Sequence, residues 1–204
     1  MIVMTKMDKN YERRAVNYEA RMVSDDSGNY VEGYAAKFDT RSEDFGGWEE
    51  TIATGAFDDV LGDDVRALID HNPEKIIGRS KSGTLSLVVD DIGLKYRALI
   101  PDTTYGNDLK KSLERGDIDQ SSFGFRVKDA DWETRDGKEV RVIKKLERLF
   151  DVSPVTFPAY QDTSVAKRSL QEQQETKETA KQADIDAKRA DSAIKIAEAT
   201  IALG

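Results

Sequence analysis

The 204-residue sequence has no cysteine and a single histidine, His71. Without cysteine there is no disulfide framework, no thiol nucleophile and no zinc site built on thiolates. One histidine excludes a histidine-rich metal centre, and no Asp-rich loop has calcium-binding spacing, so neither a metal nor a cofactor is expected. Long apolar runs are missing too: nothing approaches the ~20 residues that cross a bilayer, and Met1–Asn10 holds no sustained apolar segment. A protein made and kept in a cytoplasm is expected. Positive charge is in short supply, with 31 Lys and Arg against 39 Asp and Glu and a net charge of -8. That balance argues against a nucleic-acid partner and against an anionic membrane surface. Proline is scarce as well, and its four copies all lie at or before residue 158.

What is present reads mainly as strands between Arg13 and about Tyr160. Residues 14–23 and 30–38 are β-compatible runs joined by the turn formers Ser24–Asn29, and residues 83–90 and 94–100 alternate apolar and polar around Asp91–Gly93. Both pairs predict hairpins. Residues 65–71 predict a strand that delivers His71 to its end. Helices are expected over 54–61 and 105–116, the second with Leu109 and Leu113 four apart and a closing glycine. Strand character returns at 118–127, at 140–150 and at 152–158, where Pro154 and Pro158 predict an edge or exit segment. Beyond Lys167 the composition turns to Glu, Gln, Lys and Ala without proline or aromatics, which predicts a helical tail. The expected organisation is a flexible N-terminus at 1–12, a mainly β domain with flanking helices (α+β) at 13–168, and a helix-prone tail at 169–204.

Histidine alone has an unperturbed pKa that permits proton exchange near neutrality, so His71 is the one candidate general base. Its nucleophile must be a hydroxyl. Ser121-Ser122-Phe-Gly-Phe125 sets two serines beside a glycine that permits close backbone approach, with the N–H groups of Phe123 and Gly124 as candidate oxyanion donors. Adjacent strand residues face opposite ways, so only one of the two serines can meet His71. A carboxylate must then orient the imidazole, and Asp151 or Glu147 can fill that role, since residues four apart on a regular strand share a face. Asp70 is expected to be a solvated acid. A general esterase is disfavoured, because Gln120 and Gly124 flank Ser122 where a Gly-x-Ser-x-Gly elbow needs two glycines. Asp44-Phe-Gly-Gly-Trp48 is either a substrate lip or a packed loop.

The ordered set Gly33-Tyr-Ala-Ala-Lys-Phe38, Gly55-Ala-Phe57, Leu68-Ile-Asp-His-Asn72, Gly116–Val127 and Phe150–Tyr160 resembles the prohead, or capsid maturation, serine proteases of tailed bacteriophages. The likeness covers residues 12–168. It implies a compact, mostly antiparallel β-barrel of herpesvirus-protease type, with His71 as base, Ser122 as nucleophile and Asp151 or, in its place, Glu147 as the acidic partner. Ser121 stays the second choice of nucleophile. The implied substrates are a scaffold protein or the scaffolding segment of the major capsid protein, and the protease itself, inside the assembling procapsid in the bacterial host cytoplasm. The herpesvirus likeness also implies a homo-oligomer. Self-cleavage between Lys167 and Glu178 is expected to free the domain from its tail. The rival reading is an inactive scaffold-binding module.

Overall fold

The computed structural model describes residues 11–16, 20–157 and 163–202 and divides into two units, Met1–Thr163 and Ser164–Gly204. The first is mainly β. Strands β1 (Glu12–Val16), β9 (Gln120–Arg135), β10 (Lys138–Val155), β5 (Arg66–Ile69) and β6 (Asn72–Arg79) lie side by side in that order, and β4 (Trp48–Ile52) pairs with β10 as a sixth member. A second sheet has the order β2 (Arg21–Asp25), β3 (Gly28–Lys37), β8 (Gly93–Leu99), β7 (Leu85–Val89). With the helices α1 (Thr104–Arg115) and α2 (Thr163–Ala202), the class is α+β.

Both sheets feed one apolar core. Val31 and Ala35 from β3, Leu94 and Tyr96 from β8, Phe123 and Phe125 from β9, and Ile143, Leu146 and Leu149 from β10 have no exposed surface. Full burial of an aliphatic or Phe side chain of this kind contributes about 1.5–3 kcal/mol. Phe123 and Phe125 stack with ring centres 4.5 Å apart, and Phe57 meets Phe123 edge-on. Because these two phenylalanines face the core from alternate positions of β9, Ser122, which directly precedes Phe123, and Gly124, which separates them, are turned to the other face.

Several expectations meet the structure directly. The 83–100 hairpin is β7 and β8. Helix α1 is capped by Thr103, whose Oγ1 accepts the Gly106 N–H, and closed by Gly116 at φ 74°, a left-handed conformation that suits glycine. Other expectations are corrected. The run 14–23 is two strands belonging to different sheets, with residues 17–19 outside the described set. Residues 54–61 form consecutive turns, with Ala56, Asp58 and Val60 each donating to a carbonyl three residues back and Gly55 at φ 86°, which interrupts helical geometry. Pro154 does not mark an edge. It lies inside β10, beyond the β5 pairing at Asp151 and Val152, and its carbonyl accepts the Asp70 N–H. The sheet also departs from an antiparallel pattern, since β4 and β5 both run parallel to β10.

Asp44–Trp48 is a packed loop rather than an open lip. Asp44 accepts the N–H groups of Gly46 and Gly47, and Trp48 is buried against Phe45 and Trp132. Beneath β1 lies a buried charge network. Arg14 holds Glu12 and Glu50 at 2.6 Å each, and Arg141 of β10 holds Glu12 at 3.0 Å and Glu50 at 3.2 Å. Two cations face two anions, which is the condition for keeping charges in a low-dielectric interior. The Ser164–Gly204 unit is almost wholly α2, in which Thr176, Thr179 and Ser192 bond back to carbonyls four residues earlier and Lys188 pairs with Asp184. No described helix is long and apolar enough to cross a membrane.

Candidate active site

His71 does not end a strand. It occupies the second position of a two-residue turn between β5 and β6, where Ile69 pairs with Asn72. Asp70 and His71 have φ of 51° and 55°. Positive φ at both positions is the type I′ arrangement that matches the twist of a hairpin. In residues with a Cβ this conformation costs about 1–2 kcal/mol each, and such strain persists where the surroundings enforce it. The enforcement comes from Asp70. Its carboxylate accepts Thr156 N–H at 2.7 Å and Thr156 Oγ1–H at 3.0 Å, and its own N–H donates to Pro154. Asp70 is thus exposed but engaged, a clamp between turn and β10 rather than the solvated acid expected from sequence.

The turn holds His71 over the β9–β10 ladder, where Ser122 pairs with Ser153 and Gly124 with Asp151. His71 Nε2 lies 2.6 Å from Ser122 Oγ, and Nδ1 lies 2.5 Å from Asp151 Oδ2. Two further groups hold the carboxylate: Ser153 Oγ donates to Oδ2 at 3.0 Å and Tyr11 Oη donates to Oδ1 at 2.8 Å. Burial works to raise the Asp151 pKa, but the hydrogen bonds and charge of His71, with Tyr11 and Ser153, prevail and hold it below the usual carboxylate range. Gly124 makes room for this convergence, because a Cβ there would stand 2.2 Å from Tyr11 Oη and 2.4 Å from Asp151 Oδ1. Ser122 has no exposed surface, and His71 and Asp151 are 7% and 4% exposed. The Ser122 hydroxyl also reaches β1, donating to the Arg14 carbonyl at 2.9 Å.

A serine on an imidazole whose far nitrogen rests on a buried carboxylate is the arrangement of acyl-transfer hydrolases. The sequence profile of the family described as caudovirus prohead serine protease matches residues 16–179. The chain belongs to this family. Among curated proteins, it is 28% identical to the prohead protease of Enterobacteria phage HK97 over 149 residues, covering 72% of this chain. The chain spans 64% of that relative's length. No solved structure matches the chain.

Of the expected site residues, the structure brings His71, Ser122 and Asp151 together and leaves Glu147 apart. Glu147 is half exposed and pairs with Arg126 at 3.2 Å. Ser121 faces the core, 2.9 Å from the Tyr96 hydroxyl, whose pKa burial pushes up. Phe123 and Gly124 are flanked by β1 on one side and β10 on the other. Sequence reading missed Tyr11, Ser153 and the Arg14 carbonyl. Ser153 had a signal, since it shares a face with Asp151 two residues earlier; Tyr11, 140 residues from its partner, had none. Ser121→Ala separates the two serines. It is expected to leave hydrolysis within about twofold while lowering stability by about 1–3 kcal/mol, because the Tyr96 hydroxyl loses its buried partner. Parallel activity assays and urea unfolding check this.

Proposed function

We propose that the chain is a prohead maturation protease, a serine endopeptidase that cleaves a scaffold, or the scaffolding segment of the major capsid protein, and itself, within the procapsid in the host cytoplasm. The carrying observation is the 2.6 Å approach of His71 Nε2 to Ser122 Oγ with Asp151 on the opposite ring nitrogen. His71 takes the Ser122 proton as Oγ bonds to the scissile carbonyl carbon and an electron pair moves to the carbonyl oxygen. Collapse of that intermediate breaks the C–N bond, and the departing amine takes the proton from Nε2. Water, deprotonated by His71, then releases the acyl group by the same sequence. Asp151 keeps the hydrogen of the resting ring on Nδ1 and offsets the imidazolium charge. Ser153 fixes the carboxylate, joined by Tyr11 while β1 is in place, and a β9 N–H of Phe123 or Gly124 serves the oxyanion.

The catalytic domain is assigned to residues 13–168, with the herpesvirus-type barrel as its architecture, and the tail to 169–204. Self-cleavage between Lys167 and Glu178 falls within α2, so it requires local unwinding of that helix. Incubation of the full chain with shells assembled from uncleaved capsid precursor tests the function. Mass spectrometry is expected to find shortened capsid protein and a chain cut within 167–178. Intact precursor throughout overturns the assignment.

A further inference from the structure

We propose that β1 is a displaceable strand occupying the peptide-binding edge of β9, and that the site opens when this strand leaves and an extended polypeptide takes its place. The proposal rests on the reading of Ser122 as nucleophile and adds a control to it.

Closure is visible at the reacting atom. Ser122 is fully buried, and its Oγ has the Arg14 carbonyl at 2.9 Å. A scissile carbonyl carbon must come within about 3–3.5 Å of Oγ, close to space that the β1 backbone fills. A hydroxyl has one hydrogen, so while Ser122 donates it to Arg14 it does not donate it to His71. The strand is not seated as a substrate, because it directs a carbonyl oxygen at Oγ rather than a carbonyl carbon. The candidate oxyanion donors are covered in the same way. Adjacent N–H groups of a strand point to opposite sides, so of Phe123 and Gly124 one is turned toward β10 and the other toward β1.

Departure is also built in. β1 is five residues long and, among the described residues, stands at the end of its sheet and pairs with β9 alone. Residues 12–15 precede the stretch matched by the family. The charge network divides without leaving an orphan: Glu12 and Arg14 leave together as one neutral pair, held at 2.6 Å, while Glu50 and Arg141 remain as another at 3.2 Å. An isolated charge stranded in the interior would forbid this exchange, and none results. The Tyr11 bond to Asp151 leaves with the strand, whereas Ser153 and His71 remain on the carboxylate.

The test uses the full chain as wild type, as Glu12→Gln with Arg14→Gln, which removes the strand's half of the network, and as Ser122→Ala for a blank. Each is treated with an alkyl fluorophosphonate and read by intact mass, and the wild type is followed by hydrogen exchange before and after labelling. The double variant is expected to label at least about tenfold faster than wild type, with β1 amides exchanging independently of β9 and losing further protection once Ser122 is modified. Exchange of β1 only together with β9, or equal labelling rates, overturns the proposal. Should the double variant fail to fold, the wild-type exchange pattern decides. If β1 opens on its own but no chain is labelled, the displaceable strand stands and the nucleophile reading falls.

Discussion

Ser122→Ala is expected to lower peptide-bond hydrolysis by about 10⁴–10⁶-fold, and adding His71→Ala is expected to lower it no further, because nucleophile and base act as one unit. The reason lies in the proton. Among the described residues Nε2 has a single close hydroxyl, on Ser122, at 2.6 Å, and either substitution removes the same transfer. Asp151→Asn keeps the shape but reverses the polarity at Nδ1. An amide N–H turned to the ring favours the tautomer with hydrogen on Nε2, which cannot accept from Ser122, and a loss of about 10⁴ follows. Glu147→Gln is the control: its carboxylate pairs with Arg126 at the surface, so rates within about twofold of wild type are expected. Timed cleavage of capsid precursor in assembled shells by this series decides between the two acids. Equal losses for Asp151→Asn and Glu147→Gln sink the assignment.

The second large effect is on stability. Arg141→Leu leaves Glu12 and Glu50 with Arg14 alone, one buried negative charge in excess. Breaking a buried pair from one side destabilises by about 3–5 kcal/mol, and urea unfolding of the variant is expected to show a loss in that range. Arg141→Leu with Glu50→Leu restores the balance of charge and is expected to recover much of it. Acid acts on the same network. Burial works to raise the Glu12 pKa, but the guanidinium groups of Arg14 and Arg141 prevail and hold it below its ordinary value of 4.5. The stabilisation from Glu12 is therefore complete above that ordinary value and is lost as pH falls through the lower folded one. The groups facing its carboxylate are Arg14 on β1 and Arg141 on β10.

The parts of this fold legible in sequence are those fixed by local chemistry. Helix α1 announces itself by its leucines and closing glycine, and the β7–β8 hairpin by strict alternation. The turns at 54–61 misread as helix because apolar spacing does not report φ at Gly55. Asp151 and Glu147 were inseparable for a different reason. Four residues apart on a regular strand means one face, but β10 is irregular: Leu146 and Arg148 pair with Val127 and Arg126, and Leu149 and Asp151 with Phe125 and Gly124. Residues 147 and 150 are left over as bulges, and each bulge turns the strand. No pattern in one sequence reveals which residues a ladder skips. His71 stands out as the chain's one histidine, whereas the choice of Ser122 over Ser121 rests on the family resemblance of the serine that precedes Phe123-Gly124-Phe125. Tyr11 directly precedes β1, whose neighbour β9 lies more than a hundred residues away, and nothing local points to it.

The turn that carries His71 sets a thermal limit. Two left-handed residues, Asp70 and His71, are kept in place by the Asp70 carboxylate on Thr156, the Asp70 N–H on Pro154, the ring bonds of His71 to Ser122 and Asp151, and one ladder pair, Ile69 with Asn72. Opening this turn releases backbone strain, whereas opening the Phe123–Phe125 core exposes apolar surface. Warming is therefore expected to loosen the candidate base before it loosens the sheet, so that assayed hydrolysis is lost at a lower temperature than the one at which the protein unfolds.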